Sequence, residues 1–91
     1  MHIDVLIGRF IGKSTEFVFE TDTGGFSFIE MHNPEVVCIK NGVAHIQDKA
    51  NKEQFLSLPL RGINRLSENK GIYTFIIHYS NHSKVYIKLK K

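Results

Sequence analysis

The chain has 91 residues, of which 42% are hydrophobic and 23% charged, with a net charge of +3. These values fit one folded domain with a single modest core and give no sign of disorder. No stretch has the length of a membrane span, and Met1-His-Ile-Asp-Val lacks the basic start and apolar core of a secretory leader, so a cytoplasmic, non-membrane protein is expected.

In chain order, His2 to Ile11 reads as a first strand, with Ile3, Val5 and Ile7 on one face and Gly8 and Gly12 marking a bend and a turn. Thr15 to Thr21 is a second strand, in which Phe17 and Phe19 alternate with Glu16, Val18 and Glu20. Asp22-Thr-Gly-Gly25 is a turn, and Phe26 to Met31 pairs back as the other arm of a hairpin. Asn33-Pro-Glu35 fits either a helix cap or an extended entry, but the β-branched Val36-Val-Cys-Ile39 after it reads as a strand. The single cysteine, Cys38, excludes an internal disulfide and a cysteine-based zinc site, and its apolar neighbours suggest a small buried hydrophobe.

Asn41-Gly42 is the strongest local signal, because a two-residue type I′ turn requires positive φ at both central positions. That turn sets Lys40 opposite Val43, Ile39 opposite Ala44, Cys38 opposite His45 and Val37 opposite Ile46. Val37, Ile39, Ala44 and Ile46 then face the core. The expected core also includes Phe17 or Phe19, Phe26 or Phe28, Val85 and Ile87, and Ile39→Ala should cost about 2–5 kcal/mol.

Asp48 to Glu53 is a polar loop, and Gln54 to Leu60 an extended segment that Pro59 confines to an edge or an early end. Arg61 to Lys70 holds Ile63 and Leu66 at helical spacing, weakened by Gly62 and Asn64, before a turn over Glu68–Gly71. The rest is a hairpin whose last strand alternates Val85, Ile87 and Leu89 with Lys84, Tyr86, Lys88 and Lys90.

An even loop in that hairpin would place Tyr73, Phe75, Ile77 and Tyr79 beside the lysines. An odd loop turns them inward with Val85, Ile87 and Leu89, and leaves Thr74, Ile76, His78 and Ser80 outside. The odd register is expected, since exposed apolar surface costs about 25 cal/mol per Å². The fold class is all-β, or β-dominated α+β with at most one short helix: a small antiparallel barrel or two-layer sandwich of about seven strands in a single domain, 1–91.

Charge is unevenly distributed. Residues 1–60 carry five Lys/Arg against eight Asp/Glu, whereas residues 61–91 carry seven against Glu68 alone. Such a split fits an anionic partner, a head-to-tail homodimer helped by an exposed terminal strand, or simply an uneven surface. The candidate binding residues are Arg61, Arg65, His78, Lys84, Tyr86, Lys88 and Lys90, which would place positive charge and one aromatic ring on a strand face.

No catalytic, metal or cofactor site is expected. The five histidines lack metal-ligand spacing, and Gly8-Arg-Phe-Ile-Gly-Lys13 lacks the spacing of a phosphate-binding loop. Cys38 opposite His45 has no third orienting group. The function expected is non-catalytic macromolecular binding. A protein partner leads, with the chain acting as accessory subunit or inhibitor, and nucleic-acid binding through the basic C-terminal third is the alternative.

Overall fold

A computed structural model describes residues 2–69, 71 and 73–90. The strand expected over His2–Ile11 is instead a helix, α1 (Ile3–Phe10). Two periodicities compete in this segment: Ile3, Val5 and Ile7 repeat every second residue, while Ile3, Leu6, Ile7 and Phe10 recur at helical spacing. The helix buries Leu6, Ile7 and Phe10 and leaves Val5 exposed. Full burial of each such side chain stabilises by about 1.5–3 kcal/mol, and the helix gathers Leu6, Ile7 and Phe10 on one buried face. Asp4 in the first turn and Arg9 in the last suit the helix dipole, and Gly12, at φ 74°, turns the chain after it.

Among the described residues eight strands follow: β1 (Thr15–Glu20), β2 (Phe26–Met31), β3 (Pro34–Lys40), β4 (Val43–Asp48), β5 (Phe55–Pro59), β6 (Ile63–Glu68), β7 (Phe75–Tyr79) and β8 (Lys84–Leu89). They form a five-stranded antiparallel sheet in the order β2-β1-β8-β7-β6 and a three-stranded one in the order β3-β4-β5. Both sheets keep open edges, so the architecture is a sandwich and not a closed barrel. β8 lies between β1 and β7, which corrects the expectation of an exposed terminal strand.

One core joins the layers. Phe17, Phe75, Ile77, Val85 and Ile87 from the larger sheet meet Ala44, Ile46, Leu56 and Leu58 from the smaller, and α1 contributes Leu6, Ile7 and Phe10. Phe10 and Phe17 pack edge to face at 5.2 Å. The Tyr79 hydroxyl, on β7, donates to the Pro59 carbonyl of β5 at 2.7 Å and ties the two sheets together.

The Asn41-Gly42 turn has φ of 54° and 74°, and the first three pairs of its register are those expected. A bulge at Val37 then places Val36, not Val37, opposite Ile46. Val37 is 58% exposed and Ile39, on the edge strand beside the turn, 57% exposed. Neither is a core residue, and the large cost expected for Ile39→Ala does not apply. Cys38 is likewise exposed rather than buried.

Phe26 and Phe28 also leave the expected core. In the β1–β2 register Phe17 faces Ile29 and Val18 faces Phe28, so Ile29 and Met31 point inward and both phenylalanines point out. β6 has a bulge at Asn64, which brings Ile63 and Leu66 to the same inner face although they are three residues apart. Their spacing resembles a helix for this reason alone. The turn expected over Glu68–Gly71 includes Lys70, which lies outside the described residues; Gly71 N–H donates to the Asn69 side-chain oxygen at 2.8 Å.

The last hairpin adopts the odd register, Phe75 opposite Ile87 and Ile77 opposite Val85, around a three-residue loop in which His82 has φ 71°. Tyr73, expected inside with them, instead packs its ring at 5.0 Å on that of Tyr86.

Candidate functional site

The outer face of the five-stranded sheet carries most of the chain's unusual chemistry. Strand registers arrange it in lateral rows. The first runs Phe26, Glu20, Lys84, His78, Arg65, and the second Phe28, Val18, Tyr86, Ile76, Ser67. A third places Glu30 and Glu16 beside Lys88.

These rows explain the uneven charge. The acidic strands β1 and β2 lie beside the basic strand β8, with Glu16 opposite Lys88 and Glu20 opposite Lys84. Lys90 Nζ stands 2.8 Å from Glu30 Oε2. This hydrogen-bonded ion pair holds the Glu30 carboxyl below its usual pKa and raises that of Lys90. Opposite charges from the two parts of the sequence therefore meet within one chain, and the charge split by itself calls for no second copy.

Tyr86 is half-buried, and its hydroxyl donates to Glu20 Oε1 at 2.6 Å. That hydrogen bond, followed by burial and the Glu20 charge, pushes the phenol up to about 12. With its other contact on Tyr73, the ring is part of a small outer cluster and not a free stacking platform.

The seven sequence-derived binding residues fall into three places. Arg65, His78 and Lys84 are brought together in the first row, where β6, β7 and β8 run side by side. Tyr86 and Lys88 follow Lys84 along β8 and Lys90 comes just after its end, each set against an acidic residue or another ring. Arg61 is elsewhere: it lies over Gly42, where an added Cβ would meet Arg61 Nε at 2.5 Å. It helps line a cleft of about 470 Å³ at one end of the sandwich, with Phe19, Pro59, Tyr79, Lys84 and Val85.

Sequence reasoning missed Phe26 and Phe28, 67% and 72% exposed on the edge strand β2. Their hydrophobicity points to a core, and only the parity of the hairpin over 21–25 reveals the opposite. It also missed Asp48, read as part of a polar loop. Asp48 is buried, and its carboxylate accepts from the backbone N–H of His32 at 3.0 Å, Asn33 at 2.9 Å and Ala50 at 2.9 Å. Burial opposes its ionisation most strongly, but the three donors together outweigh it and keep the carboxyl below its usual range. Asp48 holds the β2–β3 link against the β4–β5 loop, which is a structural role.

On the smaller sheet Cys38 stands opposite His45, and His45 Nδ1 lies 3.2 Å from Ser57 Oγ on β5. Cys38 and Ser57 are exposed in this row, and Ser57 lies at the lining of the cleft that Arg61 also lines. Among the described residues no three His, Cys, Asp or Glu side chains converge on a metal position, and no helix is long and apolar enough to cross a membrane. No protein-family model, curated protein or solved structure matches the chain.

Proposed function

We propose that this chain is a non-catalytic protein-binding module, acting as an accessory subunit or inhibitor, and that β2 with the adjoining outer sheet face is its docking surface. The observation that carries this reading is the exposure of Phe26 and Phe28 side by side on an edge strand. Apolar side chains grouped at a free sheet edge favour an added strand, whose backbone pairs with the edge while alternate side chains cover the face. Inward from Phe28 the row continues with Val18, which is buried, and with the half-buried Tyr86.

Charge adds little to this choice, because Glu16, Glu20 and Glu30 are each set against a lysine of the same chain. The partner suited to this surface is a protein segment that is extended and apolar at alternate positions. Selection of displayed random peptides against the immobilised protein tests this. Recovered sequences should share that pattern and lose binding to Phe26→Ser/Phe28→Ser, with thermal melting of the variant unchanged. Peptides that bind the variant as well as the parent would overturn the reading. So would concentration-dependent dimerisation abolished by the same substitutions, which would assign the surface to a second copy.

Nucleic-acid binding along the whole of β8 has less support. Lys90 is engaged by Glu30, Lys88 faces Glu16, and the Tyr86 hydroxyl is held by Glu20. The basic residues set apart from this acidic strip are those nearer β6.

A further inference from the structure

We infer that the Arg65–His78–Lys84 row, closed at one end by His82, is a binding site for a single phosphate group carried by a small ligand. It lies toward the opposite edge of the sheet from Phe26 and Phe28 and is independent of the protein-docking reading. The row follows from register: Arg65 on β6 pairs with His78 on β7, which pairs with Lys84 on β8. Neighbouring strands are about 4.8 Å apart, so the three residues span about 10 Å. That is within reach of the oxygens of one phosphate for long side chains leaning inward.

A depression of about 510 Å³ opens over this row, lined by Asn64, Arg65, His78, His82, Ser83 and Lys84. None of these is acidic. Lys90 nearby is already engaged by Glu30 in an ion pair. Lys84 faces Glu20 just as Lys88 faces Glu16, but the Glu20 carboxylate already accepts from Tyr86.

Like charges side by side on adjacent strands oppose one another. His78 registers this: burial first, then Arg65 and Lys84, lower its pKa, and its Nε2 lies 3.0 Å from Ser67 Oγ. An anion placed between Arg65 and Lys84 would turn the repulsion into attraction, with neutral imidazole, amide and hydroxyl groups available as donors. His82 adds a separate observation. It occupies the left-handed position of the hairpin loop, φ 71°, where glycine or asparagine fits with less strain, and it lines this depression.

Calorimetric titration of the intact protein with inorganic phosphate and with pyrophosphate tests the inference, with a single-stranded oligonucleotide as a third arm. Saturable binding of pyrophosphate is expected, weakened by about tenfold in Arg65→Gln and in Lys84→Gln and unchanged in Lys88→Gln. Inorganic phosphate should compete for the site. Equal losses in all three variants would reduce the effect to general surface charge and overturn the inference. An oligonucleotide that binds more tightly than pyrophosphate and depends on Lys88 would overturn it in favour of a polymer along β8. Absence of saturable binding at millimolar concentrations would also end it. Circular dichroism melts of each variant separate lost binding from lost fold.

Discussion

Replacing Asp48 with alanine removes one acceptor from three backbone N–H groups at once, those of His32, Asn33 and Ala50, at 2.9–3.0 Å. Each orphaned buried donor costs about 1–3 kcal/mol, and water can reach part of this loop region, so a total of about 3 kcal/mol is expected. In a domain of this size that corresponds to a fall in melting temperature of about 12–24 °C. Asp48→Asn keeps one carbonyl acceptor and should lose about half as much. Urea unfolding at pH 7 measures both, with an unchanged slope showing that only stability has moved. Acid supplies a second check. The Asp48 carboxyl is held below the ordinary value of 3.8, so its contribution is complete above the unfolded-state pKa and is lost as pH falls through the folded one. Stability of the parent should therefore drop below about pH 4 more steeply than that of Asp48→Asn. A loss below about 0.5 kcal/mol for Asp48→Ala would refute the view that this carboxylate locks the two loops together.

Ile46→Ala should cost about 2–5 kcal/mol in the same unfolding assay, whereas Ile39→Ala should cost less than about 1 kcal/mol, because only Ile46 is buried. Tyr79→Phe removes the hydroxyl that bridges the sheets to Pro59 and should cost about 1 kcal/mol with the core otherwise intact. The Tyr86 phenol should titrate near 12 by ultraviolet absorbance, and Glu20→Gln should bring it down, since the Glu20 hydrogen bond is the largest cause of the rise.

Much of the strand content is legible in the residues because local rules decide it. Asn41-Gly42 fixes its own turn through positive φ, and the strict alternation of Val85, Ile87 and Leu89 identifies the inward face of β8, though not its position between β1 and β7. Misreadings arise where one extra residue changes parity. The bulge at Val37 leaves that residue opposite no partner, and the bulge at Asn64 makes a strand look helical through Ile63 and Leu66. The five residues linking β1 to β2 turn Phe26 and Phe28 outward, against what their size suggests. α1 is a different case: both periods are present in Ile3–Phe10, and the helix prevails because its spacing buries Leu6 and Phe10. The candidate sites were visible only in part. Arg65, His78 and Lys84 could be named from charge, but their alignment depends on pairings among three strands and a bulge. The neutralisation of Lys90 by Glu30 depends on contact between residues sixty positions apart in sequence.

The central claim is that β2 and the face beside it receive an extended apolar segment from a protein partner. Amide chemical-shift mapping with the tightest peptide from the display selection tests it most directly. Shifts concentrated on β2, on Val18 and on Tyr86 are expected, with the β2 amides becoming slower to exchange with solvent. Shifts centred on β3–β5, with β2 unchanged, would contradict it.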